Sequence, residues 1–516
     1  MNINRRSFLF GSAAAASFAG CTSVKVAPRK LEPGELPTVA IIGFGRQARG
    51  LLAQFQSYKD KCRVTAVCDC DKVRAADGAK RVDDFNAKNG IVGKCAVYAD
   101  FRAVLKNPKI DMVCIATPDH WHAYIAVEAM KAGKDVYCEK PLTFNVDESR
   151  KVIAAQEKYG RVFQTGSMQR CWPEFRTACM IVRNGFIGDI CYVDANYGRG
   201  GEKLGGPSHP VRFFDVPENA ARESAPNPDI DWDMWLGPVK WRPYSDELAP
   251  RGVHAKFPMF WRFDDDIGTG YNGDWGAHHL DIAQWGLDMD KSGPYRIIRS
   301  DEPYSTDLFH GGRRQFGMKM LFKSAKTGKD IELYHGPFGV LTGRGGWGTV
   351  FYGTDGIVAV NRGKLAVWKG TGLIKPDLEI RKQLESMAFM KDKVVAASVG
   401  KDYGDAATSK KDNRLDQVVA KLVEVFKLDT APVQLYKSID KSQVHDFVER
   451  YYDRKPTQSP AETGGRSAVL CQLCNMSYVY DTGFDWDPAK LDFANGTGKG
   501  ISLKRDYCRN GWEVKV

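Results

Sequence analysis

Two short groups of residues carry the chemistry that this sequence could perform. Glu139 and Lys140 come directly after an apolar stretch that ends at Cys138, and Asp274 and His278 stand four positions apart. On a helix, residues at that spacing share one face. An imidazole titrates close to neutral pH and suits proton removal, whereas an ammonium group suits the stabilisation of negative charge on oxygen. The two groups together could perform acid–base chemistry, if both belong to one site.

Each group also has a purely structural interpretation. A Glu–Lys pair is usually a surface salt bridge of little energetic worth, although its place at the end of a strand argues against that here. Asp274 has a glycine before it and a helical pattern after it, so it could be an N-cap. His278 or His279 could be a core histidine. From the residues alone, both interpretations of Asp274 and His278 stay open.

A strand–helix–strand pattern over residues 38–71 would position a ligand beside these groups. The apolar run 39–42 lacks the alternation of a half-exposed strand, which is typical of a parallel strand covered on both faces. A helical pattern follows at about 46–58, and a second apolar strand at 64–68 ends in Asp69. This order predicts the first unit of a doubly wound α/β (Rossmann) domain.

The turn between this strand and helix has the composition of a dinucleotide-binding turn. Gly43 permits a tight turn, Gly45 leaves room for a pyrophosphate, and the small Ala48 lets the helix pack closely. The helix N-terminus offers N–H groups and a partial positive charge to phosphates. Asp69 is placed to accept hydrogen bonds from the adenosine ribose and would repel a 2′-phosphate, which favours NAD over NADP. The predicted cofactor contacts in the turn are Gly43, Phe44, Gly45, Arg46, Gln47 and Ala48.

Two further strand ends are predicted to face the cofactor, because ligands of doubly wound sheets bind beyond the carboxyl ends of the strands. The segment 117–122 follows an apolar strand at 111–116 and precedes a helix predicted at about 123–132. The segment 139–141 follows another strand at 135–138. The predicted contacts from these two ends are Thr117, Pro118, His120, His122, Glu139 and Lys140.

Length and composition limit the remaining possibilities. A chain of 516 residues suits two large domains plus extensions. Its 74 basic and 63 acidic residues give a net charge of +11 that is spread along the chain, without the basic, aromatic-interleaved patch of a nucleic-acid site. The 13 cysteines, an odd number, lie mostly in apolar contexts. They are predicted to be core residues, and this includes the lone CxxC pair, Cys471 and Cys474.

The first residues indicate export. Arg5 and Arg6 precede an apolar run that is too short for a membrane anchor, so residues 1–21 are predicted to be a Tat-type signal peptide of a periplasmic protein. The end of this segment resembles a lipobox, and both lipidation at Cys21, which would anchor the protein to a membrane, and ordinary cleavage remain open. Residues 22–36, with several prolines, are predicted to be a linker.

The rest of the chain divides into a nucleotide domain at 37–163 and a second domain at 164–516. Residues 198–258 are rich in glycine, proline and aromatics and are predicted to be a long loop or insertion. Helical patterns close the chain near 413–427, 438–452 and 464–480. Strand-like runs of the second domain lie at 189–197, 295–300, 316–322, 331–334, 349–352 and 357–360.

The glycine turn, the strand-end Asp69, ATPDHWH at 116–122 and EKP at 139–141 together resemble the Gfo/Idh/MocA oxidoreductase family, in particular its exported, twin-arginine branch. The resemblance covers the whole chain beyond the signal. It implies an α+β second domain with a large, mostly antiparallel open sheet, a tightly bound NAD and a homo-oligomer. The family's catalytic Asp and His fall on Asp274 and His278, which makes His279 structural and Asp281 a brace for the helix.

The resemblance further implies hydride transfer from a hydroxyl-bearing carbon of a sugar, cyclitol or glycoside to the nicotinamide. His278 would act as the general base, Lys140 would polarise the reacting oxygen, and Glu139 would contact the nicotinamide ribose. The side chains expected to contact the substrate are Arg170, Trp172 and Tyr197.

Three alternatives stay open or are disfavoured. A redox-neutral NAD-dependent glycosidase or a paired-substrate sugar oxidoreductase would use the same site, and a non-catalytic sugar- or nucleotide-binding protein would not need Lys140. A zinc hydrolase could use His120 and His122, but Tyr124 stands where the HxHxDH pattern needs Asp, so no metal is predicted. Gly465 stands where the exported branch is expected to carry His, which weakens any transfer of substrate identity.

Overall fold

The structure is a computed structural model. It describes residues 27–197, 221–252, 260–270, 272–303, 316–336, 338–339, 343–344, 347–370, 372, 394–397, 413–509 and 511–516. The predicted signal peptide with Cys21, the start of the predicted linker and residues 198–220 of the predicted insertion lie outside these ranges. Among the described residues, no helix has both the length and the apolar character needed to cross a membrane.

The first half of the chain forms a six-stranded sheet in which every neighbouring pair is parallel. Its strands are β1 (Thr38–Ile42), β2 (Arg63–Cys68), β3 (Ala96–Tyr98), β4 (Met112–Ile115), β5 (Asp135–Cys138) and β6 (Phe163–Thr165). The spatial order β3-β2-β1-β4-β5-β6 is that of a doubly wound sheet, whose order reverses between β1 and β4. The predicted Rossmann domain is therefore confirmed.

Helices on both faces of this sheet explain why its central strands are continuously apolar. They are α1 (Arg46–Ser57), α2 (Lys72–Lys88), α3 (Phe101–Lys106), α4 (Asp119–Lys131) and α5 (Val146–Tyr159). Short polar side chains fix several helix starts: the carboxylate of Asp71 accepts from the N–H groups of Val73 and Arg74 at the start of α2. Helix α4 begins at Asp119, four residues before the predicted start.

The second half is built on a ten-stranded sheet. Its order is β16-β15-β14-β13-β7-β10-β9-β8-β17-β18, and only the β7–β10 pair is parallel among the pairs that the structure describes. This confirms the mostly antiparallel open sheet. The strands are β7 (Ile190–Tyr197), β8 (Arg296–Pro303), β9 (Phe316–Lys323), β10 (Asp330–Gly336), β13 (Trp347–Gly353), β14 (Gly356–Asn361), β15 (Lys364–Lys369), β16 (Val394–Ala397), β17 (Phe484–Asp487) and β18 (Asp492–Phe493), beside a separate pair, β11 (Phe338–Gly339) and β12 (Gly343–Arg344).

Helices pack on one face of the ten-stranded sheet and enclose the largest core. The helices of this half are α6 (Pro173–Arg183), α7 (Trp232–Leu236), α8 (Ala277–Gly286), α9 (Asn413–Val425), α10 (Gln443–Asp453) and α11 (Ala461–Val479). Of these, α6, α8 and α11 contribute most residues to that core. The three predicted C-terminal helices are confirmed. All described cysteines are unpaired, and Cys471 and Cys474 lie in the core, as the sequence predicted.

Two segments that extend beyond the predicted nucleotide domain belong with the first sheet. Strand β6 pairs with β5 and belongs to the first sheet, although the sequence analysis ended the nucleotide domain at residue 163. Helix α10 also packs on the first sheet: Val444, Phe447 and Val448 share a core cluster with β1 and α1. The amphipathic pattern of α10 predicted a helix, but it could not show which sheet the helix would cover.

The described end of the predicted linker is docked on the nucleotide domain. Arg29 donates from Nε and Nη2 to the two carboxylate oxygens of Asp111, at 3.0 and 2.9 Å, and from Nη1 to Glu35 at 2.7 Å. Asp111 stands directly before β4, so this contact ties residues 29–35 to the sheet. At least this part of the segment is not a free linker.

Helix α11 packs closely against α5 around Gly465. A Cβ atom at this position would lie 3.2 Å from the Ile153 side chain, so a larger residue would press the two helices apart. Gly465 therefore faces α5. The histidine expected here from the resemblance would meet Ile153 in this chain.

Candidate active site

A cleft opens at the carboxyl ends of β1, β2, β4 and β5, where the strand order predicts a ligand. The second half of the chain contributes the opposite wall, including Asp274. Many residues that the sequence analysis selected line this cleft: Gly43, Gly45, Arg46, Gln47, Asp69, Thr117, Pro118, His122, Glu139, Lys140 and Asp274.

The glycine turn has the shape that a dinucleotide needs. Gly43 has a φ of +83°, and a Cβ atom there would lie 2.8 Å from the Thr117 backbone nitrogen. A Cβ atom at Gly45 would meet nothing within 4 Å, so open space lies in front of the first turn of α1, where no side chain caps the N–H groups. Phe44 and Ala48 are buried and support the turn from the core. These features fit a bound diphosphate.

Asp69 lies at the end of β2, as predicted, and the main chain holds its carboxylate. It accepts hydrogen bonds from the N–H groups of Phe44 at 2.6 Å and Asp71 at 2.9 Å. Burial raises the pKa of Asp69, and the nearby Arg74 opposes that shift. Arg74 also lines the cleft, and it donates to the Pro250 carbonyl at 2.7 Å. A carboxylate and a tethered guanidinium therefore stand at the adenosine end.

Glu139 joins the glycine turn to the end of β5. Its Oε1 atom accepts hydrogen bonds from Gln47 Nε2 and from the Tyr137 hydroxyl, both at 3.1 Å. Burial raises the pKa of Glu139, while the charge of Lys140 opposes the shift. The side chain is thus fixed at the place expected for the nicotinamide ribose, between the helix α1 terminus and Lys140.

His120 and His122, both in the first turn of α4, have different surroundings. His122 lines the cleft, and its ring nitrogens lie 2.8 Å from the Pro141 carbonyl and 2.9 Å from the Thr117 carbonyl. His120 is buried, lies 3.0 Å from the Trp235 carbonyl and does not line the cleft, so the prediction that it contacts the cofactor is corrected. Burial lowers the pKa of His120 to about 3. Among the described residues, no group of three His, Cys, Asp or Glu side chains could hold a metal ion.

Lys140 and Asp274, predicted from opposite halves of the chain, meet in the cleft. Lys140 Nζ donates to Asp274 Oδ1 and to the Asp274 carbonyl, both at 2.7 Å. Arg262, which the sequence analysis did not select, places Nε 3.3 Å from the same Oδ1 atom. Burial alone would raise the pKa of Asp274, but Lys140 and Arg262 hold it well below its usual range. Asp274 is therefore a carboxylate shared by two cations.

A π-helical turn at Asn272–Gly276 explains this position. The turn leads directly into α8, and Asp274 lies inside it, so the side chain does not cap the helix. A Cβ atom at Gly273 would collide with Thr269, and that at Gly276 would lie 3.1 Å from His335, so small residues let the turn press against its neighbours.

His278 lies one turn further along, in the buried first turn of α8. Its Nδ1 atom has no hydrogen-bond partner among the described residues, and its ring meets Trp275 edge-on at 5.8 Å. Burial, followed by the charges of Lys140 and Arg362, lowers the pKa of His278 well below its usual range. His278 is therefore neutral, although it does not itself line the cleft. His279 is fully buried and stacks on Trp275, and burial lowers its pKa to about 3.

The predicted substrate contacts differ in outcome. Arg170 is 1% exposed and is held by two carboxylates, with Nε 2.8 Å from Asp281 and Nη2 2.7 Å from Asp290. This saturated guanidinium does not line the cleft, so Arg170 is corrected to a structural residue that is braced by Asp281. The ring of Trp172 packs against Arg362, whose guanidinium carbon lies 5.6 Å from the ring centre. Tyr197 ends β7, and its side chain lies outside the described part of the chain.

The described part of the predicted insertion is a packed wall of the cleft. Helix α7 and the segment after it have their own apolar cluster around Leu236 and Leu248, and the C-terminal tail holds them through Arg509, which donates to the Val239 carbonyl at 3.1 Å. In the sequence this region showed only as a stretch rich in glycine, proline and aromatics, with little periodicity. The cleft residues from this region are Met234, Trp235, Leu248, Ala249 and Pro250, and Trp261 and Arg262 follow shortly after it.

Comparison with protein families agrees with this architecture. Residues 38–167 match the profile of the Gfo/Idh/MocA oxidoreductase family with an NAD-binding Rossmann fold. Residues 210–339 match the profile of the C-terminal alpha/beta domain of the same oxidoreductase family. The two profiles together span half of the chain.

Similar proteins include enzymes with two kinds of name. Inositol 2-dehydrogenase of Arthrobacter sp. (strain FB24) is 31% identical over 153 residues, which is 30% of this chain and 42% of the relative. Glycosyl hydrolase family 109 protein 2 of Shewanella sp. (strain ANA-3) is 28% identical over 214 residues, which is 38% of this chain and 46% of the relative. The matched segments thus span less than half of either relative.

A solved structure shows a similar fold over most of the chain. Levoglucosan dehydrogenase in complex with NADH and levoglucosan superposes with a TM-score of 0.53 at 17% identity, covering 88% of this chain and 100% of that one. At this identity the similarity concerns the fold.

Proposed function

Since the chain belongs to the Gfo/Idh/MocA family of oxidoreductases, we propose that it is an NAD-dependent enzyme that oxidises a hydroxyl group of a sugar, cyclitol or glycoside. The observation that carries the proposal is the meeting of Lys140 and Asp274 at 2.7 Å in the cleft that also contains the glycine turn. A protein that only bound a nucleotide would not need a lysine and a carboxylate at the far end of the nucleotide cleft.

Each residue of the cleft has a separate role in such a reaction. The nicotinamide, when bound, supplies the acceptor for the hydride. Lys140, held in place by Asp274, donates a hydrogen bond to the reacting oxygen and stabilises its negative charge. His278 is the general base, because its neutral imidazole is the form that accepts a proton. Asp69 holds the adenosine ribose, and Glu139 holds the nicotinamide ribose.

Three further properties belong to the same proposal. The first 21 residues export the folded protein by the Tat route to the periplasm, followed either by lipidation at Cys21, which would attach it to a membrane, or by ordinary cleavage. A protein exported in this way keeps its NAD tightly bound, because free NAD is scarce outside the cytoplasm. The protein forms a homo-oligomer through its open sheet, as the resemblance implies.

A redox-neutral NAD-dependent glycosidase is the second candidate. The similarity to a protein named glycosyl hydrolase family 109 protein 2 favours it. Oxidation of a hydroxyl to a ketone would make the adjacent C–H acidic, and loss of that proton would expel the glycosidic alcohol. Water would then add to the unsaturated ketone, and the hydride would return to the ketone, so no NADH accumulates. An exported protein with a retained cofactor would gain from such a cycle. A paired-substrate oxidoreductase would regenerate its NAD in the same way.

The bound nucleotide is the first test. The mature protein is purified and denatured, and the released nucleotide is identified and counted by mass spectrometry. About one NAD(H) per chain is the expected result, and NADP would contradict the role of Asp69. Assays on nitrophenyl glycosides and on free sugars, with and without added NAD, then separate the candidates: glycoside cleavage without net NADH formation identifies the glycosidase.

Replacement of Lys140 tests the chemistry. We expect Lys140→Met to lower turnover by roughly 10²- to 10³-fold, because the developing charge on oxygen loses its hydrogen-bond donor. NADH binding, measured by fluorescence, should persist. Lys94→Met, at a lysine side chain that is 87% exposed, is the control and should keep wild-type turnover. Equal turnover in both variants would remove Lys140 from the chemistry. No nucleotide binding by the wild type would leave a non-catalytic binding protein.

A further inference from the structure

The adenosine end of the cleft is built by both halves of the chain. Asp69 marks this end, and its N–H donates to the Tyr98 carbonyl at 3.1 Å, which places the start of α3 beside it. From the nucleotide domain, Ala99 and Phe101 line the cleft. From the second half, the segment 229–250, here called the inserted wall, lines the same cleft. Its lining residues are Met234, Trp235, Leu248, Ala249 and Pro250.

Main-chain hydrogen bonds join the start of the inserted wall to the end of β2. The N–H of Lys72 donates to the Asp229 carbonyl at 2.8 Å, and the N–H of Asp231 donates to the Cys70 carbonyl at 2.9 Å. The two bonds belong to one antiparallel bridge. The wall therefore begins within a few residues of Asp69.

Arg74 joins the other end of the inserted wall to the same place. This side chain lies in the first turn of α2, and its Nη2 atom donates to the Pro250 carbonyl at 2.7 Å. Its positive charge also acts on Asp69, whose pKa it lowers against the effect of burial. Both ends of the wall are thus attached beside the carboxylate that is expected to hold the adenosine ribose.

Helix α4 and the C-terminal tail hold the middle of the inserted wall. The Trp235 carbonyl accepts from Trp121 Nε1 at 3.1 Å. Arg509, which is 8% exposed, donates from Nε to the Val239 carbonyl at 3.1 Å and from Nη2 to the Asp233 carbonyl at 3.0 Å. Arg509 does not line the cleft, so it holds the wall from behind.

The side of the inserted wall that lines the cleft is largely apolar. Leu248 and Ala249 are buried in the wall's own apolar cluster, and Met234 packs against the core cluster that contains Phe101. Apolar side chains with a few polar groups beside them are the usual lining of a cofactor site. The flat adenine ring fits this lining, with Asp69 beside it for the ribose.

We infer that Met234, Leu248 and Pro250 form a second side of the adenine site, and that Arg74 and Arg509 hold this wall in place, so that NAD leaves slowly. The inference rests on the proposed function and names the residues that retain its cofactor. Because the wall is attached to β2, α2, α4 and the C-terminal tail, release of the adenosine requires some of these contacts to open.

The release of NADH measures this retention directly. NADH-loaded protein is mixed with an excess of NAD, and the loss of bound-NADH fluorescence gives the dissociation rate constant. We expect Arg509→Met and Arg74→Met each to raise this rate constant by roughly tenfold, because each removes charge-assisted hydrogen bonds that hold the wall. Arg509 is a positioning residue, so its effect on release must pass through the wall.

Two controls and one contact variant locate the effect. Arg81→Met, also on α2, replaces a 42% exposed arginine side chain that pairs with Asp77. Arg176→Met removes another guanidinium–carbonyl contact, at 3.0 Å to Leu435. Neither arginine lines the cleft, so both variants should release NADH at the wild-type rate. Met234→Ala removes apolar contact with adenine and should raise the rate constant by about three- to tenfold.

ADP-ribose, which carries the adenosine and both phosphates but no nicotinamide, shows which half of the cofactor is retained. Its release, measured by displacement with NADH, should accelerate in the three wall variants by the same factors as the release of NADH. Equal factors are expected only if the wall acts on the part that the two ligands share.

The outcomes separate this inference from the proposed function. If Arg74→Met, Arg509→Met and Met234→Ala release NADH as slowly as the wild type, the inference is overturned and the oxidoreductase proposal stands. Acceleration for NADH without acceleration for ADP-ribose also overturns it. If the wild type binds no NADH, the proposed function fails first. A variant that still binds one NADH per chain is folded, so its faster release is specific.

Discussion

The cofactor end and the substrate end of the cleft are encoded in different ways. The cofactor end is made by strand ends and a glycine turn that lie within residues 38–140, and its main contacts are backbone geometry and space. The substrate end joins Lys140 to Asp274 and Arg262, which come from a distant segment of the sequence.

This difference concerns what holds each end in place. The glycine turn is fixed by its own conformation and by the sheet below it, so neighbours in sequence suffice. The substrate end is fixed by charges from distant segments, and these charges are partly buried and backed by the fully buried Arg170. A change at a buried charge should therefore disturb the second half much more than a change of similar size at the surface.

The largest expected effect is at Arg170, which supports the substrate end from behind. Arg170→Met leaves the buried Asp281 without its partner, so the free energy of unfolding should fall by about 3–5 kcal/mol in denaturant titrations. Arg183→Met, whose partner Asp288 is exposed, should lose less than about 1 kcal/mol. A stable Arg170→Met protein with a raised KM would instead restore the predicted substrate contact.

Alanine substitutions of glycines test the cofactor end, whose contacts depend on backbone geometry. Gly43→Ala forces an alanine to a φ of +83° and into the Thr117 backbone, so the free energy of unfolding should fall by about 2–3 kcal/mol. Gly45→Ala points into open space but puts a poorer N-cap residue at the start of α1, so the free energy of unfolding should fall by only about 0.5–1 kcal/mol. It should nevertheless raise the NADH dissociation constant by about tenfold or more, which corresponds to about 1.4 kcal/mol.

Gly50, on the exposed side of α1, is the matched control. Gly50→Ala also points into open space, away from the cleft, and should stabilise the helix by up to about 1 kcal/mol without affecting NADH. Unchanged NADH binding in Gly45→Ala would place the diphosphate elsewhere and remove the contrast between the two ends.

The smallest effect is a pH dependence at the contact of the second sheet with the π-helical turn Asn272–Gly276. His335 lies 2.7 Å from the Ala195 carbonyl and 3.2 Å from Asn272 Oδ1, and burial lowers its pKa to about 4. The unfolded chain takes up this proton near pH 6.5, whereas the folded chain does not, so stability falls as the pH falls from about 6.5 towards 4.

His335→Gln removes this contribution. Between pH 6 and 5, the free energy of unfolding of the wild type should change by about 1 kcal/mol more than that of the variant. Urea titrations at the two pH values give the free energies of unfolding. If these change equally in the wild type and the variant, His335 takes up its proton in the folded protein as well.

The sequence predicted the cofactor end well because its signals are local. The apolar run of β1, the glycine turn and the strand-end Glu139 and Lys140 are each visible within a few residues. The pair of Asp274 and His278 was visible through the family pattern, and the structure brings Asp274 to Lys140.

The misplaced residues share a physical reason. Arg170 and His120 are polar residues beside site motifs, and the sequence does not show that buried carboxylates or a carbonyl already occupy them. Arg262 belongs to a segment without periodicity, so neither its position nor its partner could be derived. Helix α10 was assigned to the second half because no sequence pattern shows which sheet a helix will cover.

Helix α10 has a consequence for how the protein reaches its native state. It covers β1 and α1 from almost 400 positions downstream, and Ser57 Oγ lies 3.0 Å from His445 Nε2 across a separation of 388 residues. A ribosome therefore releases the first sheet long before its cover exists. The apolar side of α1 therefore stays exposed to solvent or bound to chaperones until most of the chain has been synthesised.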